Sequence, residues 1–157
     1  MNDVEQLIVD SVEKILFFIG VVAAVDVFKN ITEEDSFHVS LSGDDLGVVI
    51  GYHGEGLASL QTVLALIVSK KLGKWFRLSV DVNGYKKERE ERIKESVKKA
   101  VDRVRFTLKP VELSPMVSYE RRLAHMEASH YEDVTSESTG EGFSRRVVLM
   151  PKTKDSE

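Results

Sequence analysis

A loop with a glycine at each end, Gly51-Tyr52-His53-Gly54, separates two apolar segments of the sequence. Glycine allows the chain to turn sharply and removes the Cβ atoms that would keep a phosphodiester backbone at a distance. A helix that starts directly after such a loop also offers unpaired amide groups and the positive end of its dipole to an anion. These residues therefore predict contact with a phosphate chain. The alternative is structural: Gly51 and Gly54 then only end one helix and open a turn into the next.

A second candidate site lies in the segment "SYERRLAHMEASH" (118–130), where Arg121 and His125 are four residues apart. At about 100° per residue they share one face of a helix and are separated by about 40°. The residues on roughly the opposite side are Met116, Tyr119, Leu123, Met126 and His130. We expect that side to pack and the Arg121–His125 side to be exposed for recognition. The alternative is a surface pair without function.

Enzymatic alternatives find little support in the motifs. The sequence contains neither Gly-x-x-x-x-Gly-Lys nor Gly-x-Gly-x-x-Gly, which disfavours a mononucleotide enzyme. It also contains no Gly-x-Ser-x-Gly elbow. A metal site would use His125, Glu127, His130 and Asp133, but the two histidines would lie about 140° apart on a helix, unlike the i, i+4 pairs that bind zinc. We expect a non-catalytic protein without cofactor or metal.

The composition is that of a folded protein, with 157 residues, 42% hydrophobic and 31% charged, and no cysteine, which excludes disulfides and thiolate sites. Without an apolar run of about 18 residues or a basic leader, we expect a cytoplasmic location and no membrane contact. The formal net charge is −4. Residues 1–84 hold 6 Lys and Arg against 12 Asp and Glu, whereas residues 85–157 hold 16 against 14. The second part is the more favourable partner for an anion.

The elements that must position these residues follow from hydrophobic periodicity. Over residues 1–84 the pattern predicts helix, strand, strand, helix, glycine loop, helix and strand. A charged helix with a narrow apolar stripe follows over 85–106 and bridges two domains. The remainder predicts a short apolar segment, the Arg121–His125 helix and two strands joined by a glycine turn. We predict an α+β protein with domains at 1–84 and 85–151 and a flexible tail at 152–157.

The first domain resembles a KH domain of the bacterial type, whose order is α-β-β-α-α-β. The stretch "IGYHGEGLASLQ" (50–61) aligns with the family's Ile-Gly-x-x-Gly-x-x-Leu-x-x-Leu-Gln motif. In such domains the loop clamps the backbone of about four single-stranded nucleotides, and an apolar groove, here beside Val39, Val49 and Ile50, holds unstacked bases. The resemblance implies an RNA site formed by Val49, Ile50, Gly51, Tyr52, His53, Gly54, Lys70 and Lys71.

The loop departs from the family at its two middle positions. These positions are often basic, whereas here they are Tyr52 and His53, which bring no full positive charge near neutral pH. Tyr52 is a candidate for stacking on a base and His53 for donating to a phosphate. The alternative is that both are exposed turn residues with neither role.

The segments "YERRLAHMEA" (119–128) and "TSESTGEGFSRRVVLMP" (135–151) resemble the R-three-H domain, which is linked to binding of single-stranded nucleic acid. The domain is named for an arginine and a histidine with three residues between them, which Arg121 and His125 match. The turn Gly140 to Gly142 and the arginines after it match its end. The implied site consists of Arg121, Arg122, His125, Arg145 and Arg146.

A KH domain followed by an R-three-H domain is similar to the bacterial Jag family, also called KhpB, cytoplasmic RNA-binding proteins associated with cell elongation, division and sporulation. Many members carry a further N-terminal domain, and the resemblance predicts a short form without it. It implies a post-transcriptional regulator that binds single-stranded RNA, with single-stranded DNA and a homodimer left open. The alternative is a protein-interaction scaffold that pairs with a small KH protein and binds RNA weakly or not at all.

Overall fold

The computed structural model describes residues 3–152 and divides into two compact units, the first ending at Lys86 and the second beginning at Lys87. Of the predicted tail, residues 153–157 lie outside the described residues. Lys152 is described, and its backbone N–H donates to the carbonyl of Asp133 at 3.0 Å. Between residues 3 and 152, no helix is long and apolar enough to cross a membrane.

The first unit contains three helices and a three-stranded sheet. Its elements are α1 (Asp3–Phe18), β1 (Ala24–Lys29), β2 (Ser36–Ser42), α2 (Gly47–Ile50), α3 (Glu55–Leu72) and β3 (Arg77–Val82). The strand order is β1-β2-β3, and β2 runs antiparallel to β1 and parallel to β3. The predicted α-β-β-α-α-β order is therefore confirmed.

The central strand β2 supplies the middle of the first core. Alternate residues Phe37, Val39 and Leu41 are buried, as expected for a strand with one face covered. Val39 lies opposite Val27 of β1 and Val80 of β3, so three branched side chains meet across the sheet. Helices α1 and α3 complete this core with apolar stripes at three and four residue spacings: Ile8, Val12, Leu16, Leu57, Leu60, Leu64 and Val68.

The contact between α2 and α3 depends on Gly56, which the sequence analysis did not single out. A Cβ atom at this position would lie 2.7 Å from the carbonyl oxygen of Val49 and 3.0 Å from that of Ile50. These distances are shorter than a carbon atom tolerates, so a side chain at residue 56 would push the two helices apart. Glycine allows the first turn of α3 to lie directly against α2, which holds the loop between two fixed helix ends.

The second unit packs two helices on a small antiparallel sheet. The elements are α4 (Tyr85–Thr107), which starts two residues before the unit boundary, β4 (Val111–Glu112), α5 (Ser118–Ala128), β5 (Val134–Thr139) and β6 (Arg146–Pro151). The strand order is β4-β6-β5. The apolar stripe of α4 packs with residues of the sheet to form a second core that includes Ile93, Val97, Val101, Val104, Val134, Val147 and Leu149. The predicted α+β class is confirmed.

Helix α5 packs through a different face from the predicted one. Its buried residues are Glu120, Ala124 and Ala128. Three residues predicted to pack are instead exposed, namely Tyr119, Met126 and His130. Only Met116, which precedes the helix, is buried, and Leu123 is half-buried. The prediction failed because it took the side opposite Arg121 and His125 as the packed one, whereas the small side chains of Ala124 and Ala128 allow another side of the helix to lie close to its neighbours.

Glu120 anchors the start of α5 to α4. Its side chain is 3% exposed and forms a two-pronged ion pair with Arg89, at 2.6 Å between Nε and Oε1 and 3.2 Å between Nη2 and Oε2. The carboxylate also accepts the backbone N–H of Val117 at 3.4 Å, which closes the N-terminal end of the helix. Tyr119 adds a second link to α4, because its hydroxyl donates to Glu90.

We expect Glu120→Ala to lower the free energy of unfolding by about 3 kcal/mol, because it removes the carboxylate that pairs with the half-buried Arg89 and that accepts the Val117 N–H. Urea denaturation followed by circular dichroism measures this loss. The matched control is Glu95→Ala, which removes an exposed ion pair with Lys99 on α4 and should leave the midpoint nearly unchanged. Equal shifts for the two variants would show that Glu120 has no special role.

Candidate nucleic-acid interface

The Gly51–Gly54 loop is a tight reversal built from left-handed backbone conformations. The φ angles are +68° at Gly51, +51° at His53 and +83° at Gly54. A Cβ atom on Gly54 would also lie 3.1 Å from Cε1 of Tyr85, so the loop passes directly over this aromatic ring within the first unit. Both the backbone angle and the contact with Tyr85 therefore favour glycine at residue 54.

No side chain caps the N-terminus of α3. Its N-cap residue is Gly54, and the backbone N–H of Glu55 donates to the carbonyl of Tyr52, so the remaining amide groups of the first turn are the ones that a phosphate could contact. These amides carry the positive end of the helix dipole. Glu55 adds a negative charge in the same turn. A phosphate is therefore favoured only where it contacts the amides away from the Glu55 carboxylate.

The two central side chains of the loop lie together. The rings of Tyr52 and His53 meet edge to face with their centroids 4.1 Å apart. Tyr52 is exposed and His53 is half-buried. The edge contact restricts the orientation of the Tyr52 ring at the surface, which suits the predicted role of this residue in stacking on a base.

The predicted apolar groove beside the loop is wrong for two of its three residues. Val39 and Val49 are buried in the first core, and only Ile50 is half-buried. Val39 occupies the middle of the central strand, and Val49 lies where α2 meets α3. Their side chains therefore stabilise the fold and do not line an open groove, so of these three only Ile50 offers a side chain to a base.

Lys70 and Lys71 lie far from the loop. Both are in the last turn of α3, whereas Gly54 is the residue before its first turn. A rise of 1.5 Å per residue separates Lys71 from Gly54 by about 25 Å along the helix. Because α3 is one uninterrupted helix of 18 residues, the structure does not bring the predicted lysines together with the loop.

His125 is held between α5 and β5 with both ring nitrogens engaged. Nδ1 lies 2.8 Å from Oγ of Ser136, and Nε2 lies 2.8 Å from Oγ of Ser138. Burial lowers the pKa of His125 below its ordinary value, and the charge of Arg121 lowers it further. The imidazole is therefore neutral near pH 7, so one nitrogen donates to a serine and the other accepts from the second serine.

This arrangement corrects the predicted exposure of the Arg121–His125 face, since both side chains are half-buried. His125 orients two serine hydroxyl groups and offers no positive charge of its own. The sequence analysis missed Ser136 and Ser138. Their i, i+2 spacing on a strand, which places both on one face, was the available signal.

The predicted arginines of the second unit differ in how many hydrogen bonds and ion pairs they make within the protein. Arg121 donates from Nη1 to the carbonyl of Met116 at 2.9 Å and from Nη2 to Oγ of Ser118 at 3.1 Å. Arg146 pairs with Glu112 at 3.0 Å. Arg122 is exposed, and its guanidinium makes no hydrogen bond or ion pair with any residue between 3 and 152. Arg122 is therefore the most available cation of the predicted set.

Hydrogen bonds connect the loop before β6 to Arg121 of α5. Arg145 donates from Nη1 to the carbonyl of Gly140 at 2.8 Å, and its own carbonyl accepts the backbone N–H of Met116 at 3.0 Å. The carbonyl of Met116 in turn accepts from Arg121. On the adjacent strand, Ser138 contacts His125. Hydrogen bonds thus link Arg121 to the backbone of Arg145 through Met116, while His125 contacts the neighbouring strand.

The residues considered for a metal site are engaged elsewhere. Asp133 pairs with Arg105 at 2.6 Å, and His130 lies 3.6 Å from Glu127. Within the described part of the chain, no group of three or more His, Cys, Asp and Glu side chains is arranged to hold a metal ion.

Two domain profiles match the chain, one in each unit. The profile of the KH domain of KhpA and KhpB matches residues 9–82, and that of the R-three-H domain matches residues 91–151. The chain is similar to "RNA-binding protein KhpB" of Clostridium symbiosum, with 31% identity over 147 residues that cover 94% of the chain and 66% of that protein.

Two further relatives carry the same name. The protein of Bacillus subtilis is 27% identical over 152 residues, covering 92% of the chain and 72% of that protein. The protein of Streptococcus pneumoniae is 26% identical over 147 residues, covering 94% of the chain and 45% of that protein. The chain therefore spans between 45% and 72% of the length of these three relatives.

The thermal stability of the second unit should fall as the pH drops below about 6.5, the ordinary pKa of histidine. Unfolded His125 takes up a proton near that pH, whereas the folded unit resists protonation until its lowered pKa is reached. The contribution is complete above the ordinary pKa and is lost as the pH falls towards the lowered one. Scanning calorimetry between pH 7.5 and 5 should therefore show a smaller pH dependence for His125→Gln than for the wild type.

The control for this titration is His130→Gln, which changes an exposed histidine two residues beyond α5. It leaves His125 and its two serine contacts in place, so it should change the pH dependence less than His125→Gln does. If the two variants change it equally, the neutral, serine-bonded state of His125 is disproved.

Proposed function

Because the chain belongs to the KhpB family, with a KH domain followed by an R-three-H domain, we propose that it is a non-catalytic protein that binds single-stranded RNA at two sites. The relatives above are named as RNA-binding proteins. The observation that carries the proposal is the glycine loop at the N-terminus of α3, where no cap side chain covers the first-turn amides. This is the geometry that a nucleic-acid backbone needs for close approach.

At the first site the RNA backbone lies against Gly51 and Gly54. With Tyr52 and His53 between them, the loop supplies amide dipoles in place of side-chain cations. Tyr52 stacks on a base, and Ile50 contributes apolar surface beside it. Lys70 and Lys71 have no part in this contact, since they lie at the far end of α3.

At the second site the contacts are made by side chains. Arg122 binds a phosphate, and Arg121 and Arg145 use the N–H groups that remain after their bonds within the domain. His125 positions Ser136 and Ser138, one of which keeps a hydroxyl proton to donate to RNA. Arg146 is paired with Glu112. It therefore adds to the positive potential of the site more than it contacts the RNA directly.

Two weak sites on one chain reinforce each other, because binding at one raises the effective concentration of RNA at the other. We include in the proposal a preference for RNA over DNA and a post-transcriptional role connected with cell elongation, division or sporulation. The preference for RNA rests on the names of the relatives. The post-transcriptional role rests on the family resemblance.

We expect Gly54→Asp to weaken RNA binding more than Gly54→Asn does. Both side chains are among those tolerated in the left-handed region and have the same size, but only aspartate adds a negative charge at the N-terminus of α3. The difference should be about 5-fold to 10-fold at 50 mM salt and should shrink as salt screens the charge. Fluorescence anisotropy with mixed-sequence single-stranded RNA, and with the matching DNA, measures it.

The same pair of variants should be compared in an Arg122→Ala background, so that the second site does not mask the first. Equal affinities of the wild type, Gly54→Asp and Gly54→Asn would remove the loop from the RNA site. A tighter complex with DNA than with RNA would refute the proposed preference.

A second candidate function, docking of another KH protein, is favoured by an apolar face of the first unit. Phe17 and Phe18 are 78% and 79% exposed at the end of α1. Phe18 lines a groove of about 310 Å³ between α1 and α3. Its other apolar lining residues are Leu7, Ile15 and Ile67, and its polar ones are Asp10, Ser11, Lys14 and Lys71. Exposed apolar groups that are contiguous in this way mark protein contact sites more often than single exposed residues do. We propose that a small single-domain KH protein binds this face.

Phe18→Glu should abolish co-elution of the chain with a purified single-domain KH protein in size-exclusion chromatography, because it buries a carboxylate in the apolar interface. The control is Phe28→Glu, which alters an exposed phenylalanine on β1 of the same unit. RNA affinity should stay unchanged in Phe18→Glu. Unchanged co-elution of Phe18→Glu would exclude this face, and no complex with the wild type would exclude the partner.

A further inference from the structure

The turn between β5 and β6 holds its conformation through its own hydrogen bonds. The backbone N–H of Ser144 donates to the carbonyl of Glu141 at 3.1 Å, and that of Arg145 donates to Gly142 at 3.2 Å. The hydroxyl of Ser144 donates to the same Glu141 carbonyl at 2.8 Å. The Arg145 guanidinium closes the turn on the carbonyl of Gly140. The backbone of the turn is therefore held in one conformation before any ligand arrives.

The central side chain of this turn is Phe143, which is 76% exposed. A single exposed phenylalanine is ordinary on a protein surface and by itself indicates nothing. The surroundings of Phe143 are what distinguish it. It precedes Arg145 and Arg146 by two and three residues, on a turn whose other side chains are polar or absent. An aromatic ring beside guanidinium groups is the combination with which proteins hold single-stranded nucleic acid.

Hydrogen bonds also join this turn to the part of the second unit that contains Arg121 and His125. The Met116 peptide accepts from Arg121 through its carbonyl, and the N–H of Met116 donates to the carbonyl of Arg145. At the other end of the turn, Thr139 pairs with Arg146 in the sheet, next to the serine that contacts His125. The turn that carries Phe143 is thus linked through Met116 to Arg121, one of the arginines that are proposed to bind phosphate.

We propose that Phe143 stacks on a nucleobase of the single strand that the R-three-H unit binds. The inference rests on the proposed RNA-binding function and adds to it a base contact that is separate from the phosphate contacts of the arginines. A phenyl ring has no hydrogen-bonding group, so the contact accepts any base and gives affinity without sequence preference. Stacking also releases no counterion, so its contribution does not depend on salt.

The test measures RNA affinity by fluorescence anisotropy at several salt concentrations for the wild type, Phe143→Ala, Phe143→Leu, Phe143→Trp and Arg122→Ala. Phe143→Ala should weaken binding about 5-fold to 100-fold, with an unchanged slope of log affinity against log salt. Phe143→Leu keeps apolar volume but lacks a π face and should bind as weakly as alanine, whereas Phe143→Trp should bind at least as well as the wild type. Arg122→Ala should instead make the slope less steep by about 0.7.

An RNA that carries 2-aminopurine provides a direct readout, because stacking quenches its fluorescence. Quenching on binding should be lost in Phe143→Ala and retained in Arg122→Ala at saturating protein. Because the side chain is exposed, all four variants should melt at the temperature of the wild type, which is checked by circular dichroism.

The outcomes separate this inference from the function on which it rests. If the wild type does not bind RNA at low salt, the proposed function fails. If the wild type binds and Phe143→Ala binds equally well, or if Phe143→Leu binds like the wild type, stacking by Phe143 is refuted while RNA binding stands. A shallower salt slope in Phe143→Ala also refutes stacking, since it would mean that the substitution disturbed phosphate contacts.

Discussion

The Glu120 carboxylate is buried where α4 and α5 meet, and it is held by two hydrogen bonds from Arg89 and one from the backbone of Val117. A charge in this position tolerates few arrangements, because any other orientation would leave it without partners in an apolar surrounding. The pair therefore sets the rotation of α5 about its axis. His125 lies five residues after Glu120 on the same helix, so its direction towards β5 follows from the position of one carboxylate.

The different roles of His125 and of the arginines near it follow from that rotation. A histidine turned towards the sheet loses contact with water, and its pKa falls because burial disfavours the charged ring. It then serves as a neutral hydrogen-bonding group between two serines. Positive charge is left to arginines, whose guanidinium groups stay charged when they are partly buried. Orientation and charge are thus assigned to different residues of one small motif.

The two units solve the same electrostatic problem differently. The chain has a net charge of −4, with the negative excess in residues 1–84, so attraction of a polyanion must be local. In the proposed function, the Gly51–Gly54 loop uses backbone amides at the start of α3, which act only at short range and need a close approach. Arg122 and the neighbouring arginines would act over longer distances through full charges. In this scheme the second unit captures the strand, and the first adds contacts that require geometry.

Local patterns in the sequence were sufficient for the order of elements, for the positions of the glycine loop and the arginine-histidine helix, and for the α+β class. Each of these depends on residues within a few turns of one another, where periodicity and glycine restrict the backbone directly. The predicted pairing of Arg121 with His125 on one helical face was of this kind, and in the helix the charge of Arg121 is close enough to lower the pKa of His125.

Which face of an element meets the core was decided only by the tertiary structure. Val49 was predicted to line a groove and is buried, because its exposure depends on how closely Gly56 lets α3 approach. The packed side of α5 was predicted from its position opposite Arg121 and His125, but the helix is oriented by Glu120 and by Arg89, which lies 31 residues earlier in the chain. Spacing along a sequence states which side chains share a face. It does not state what that face contacts, because the contact partner is supplied by distant residues.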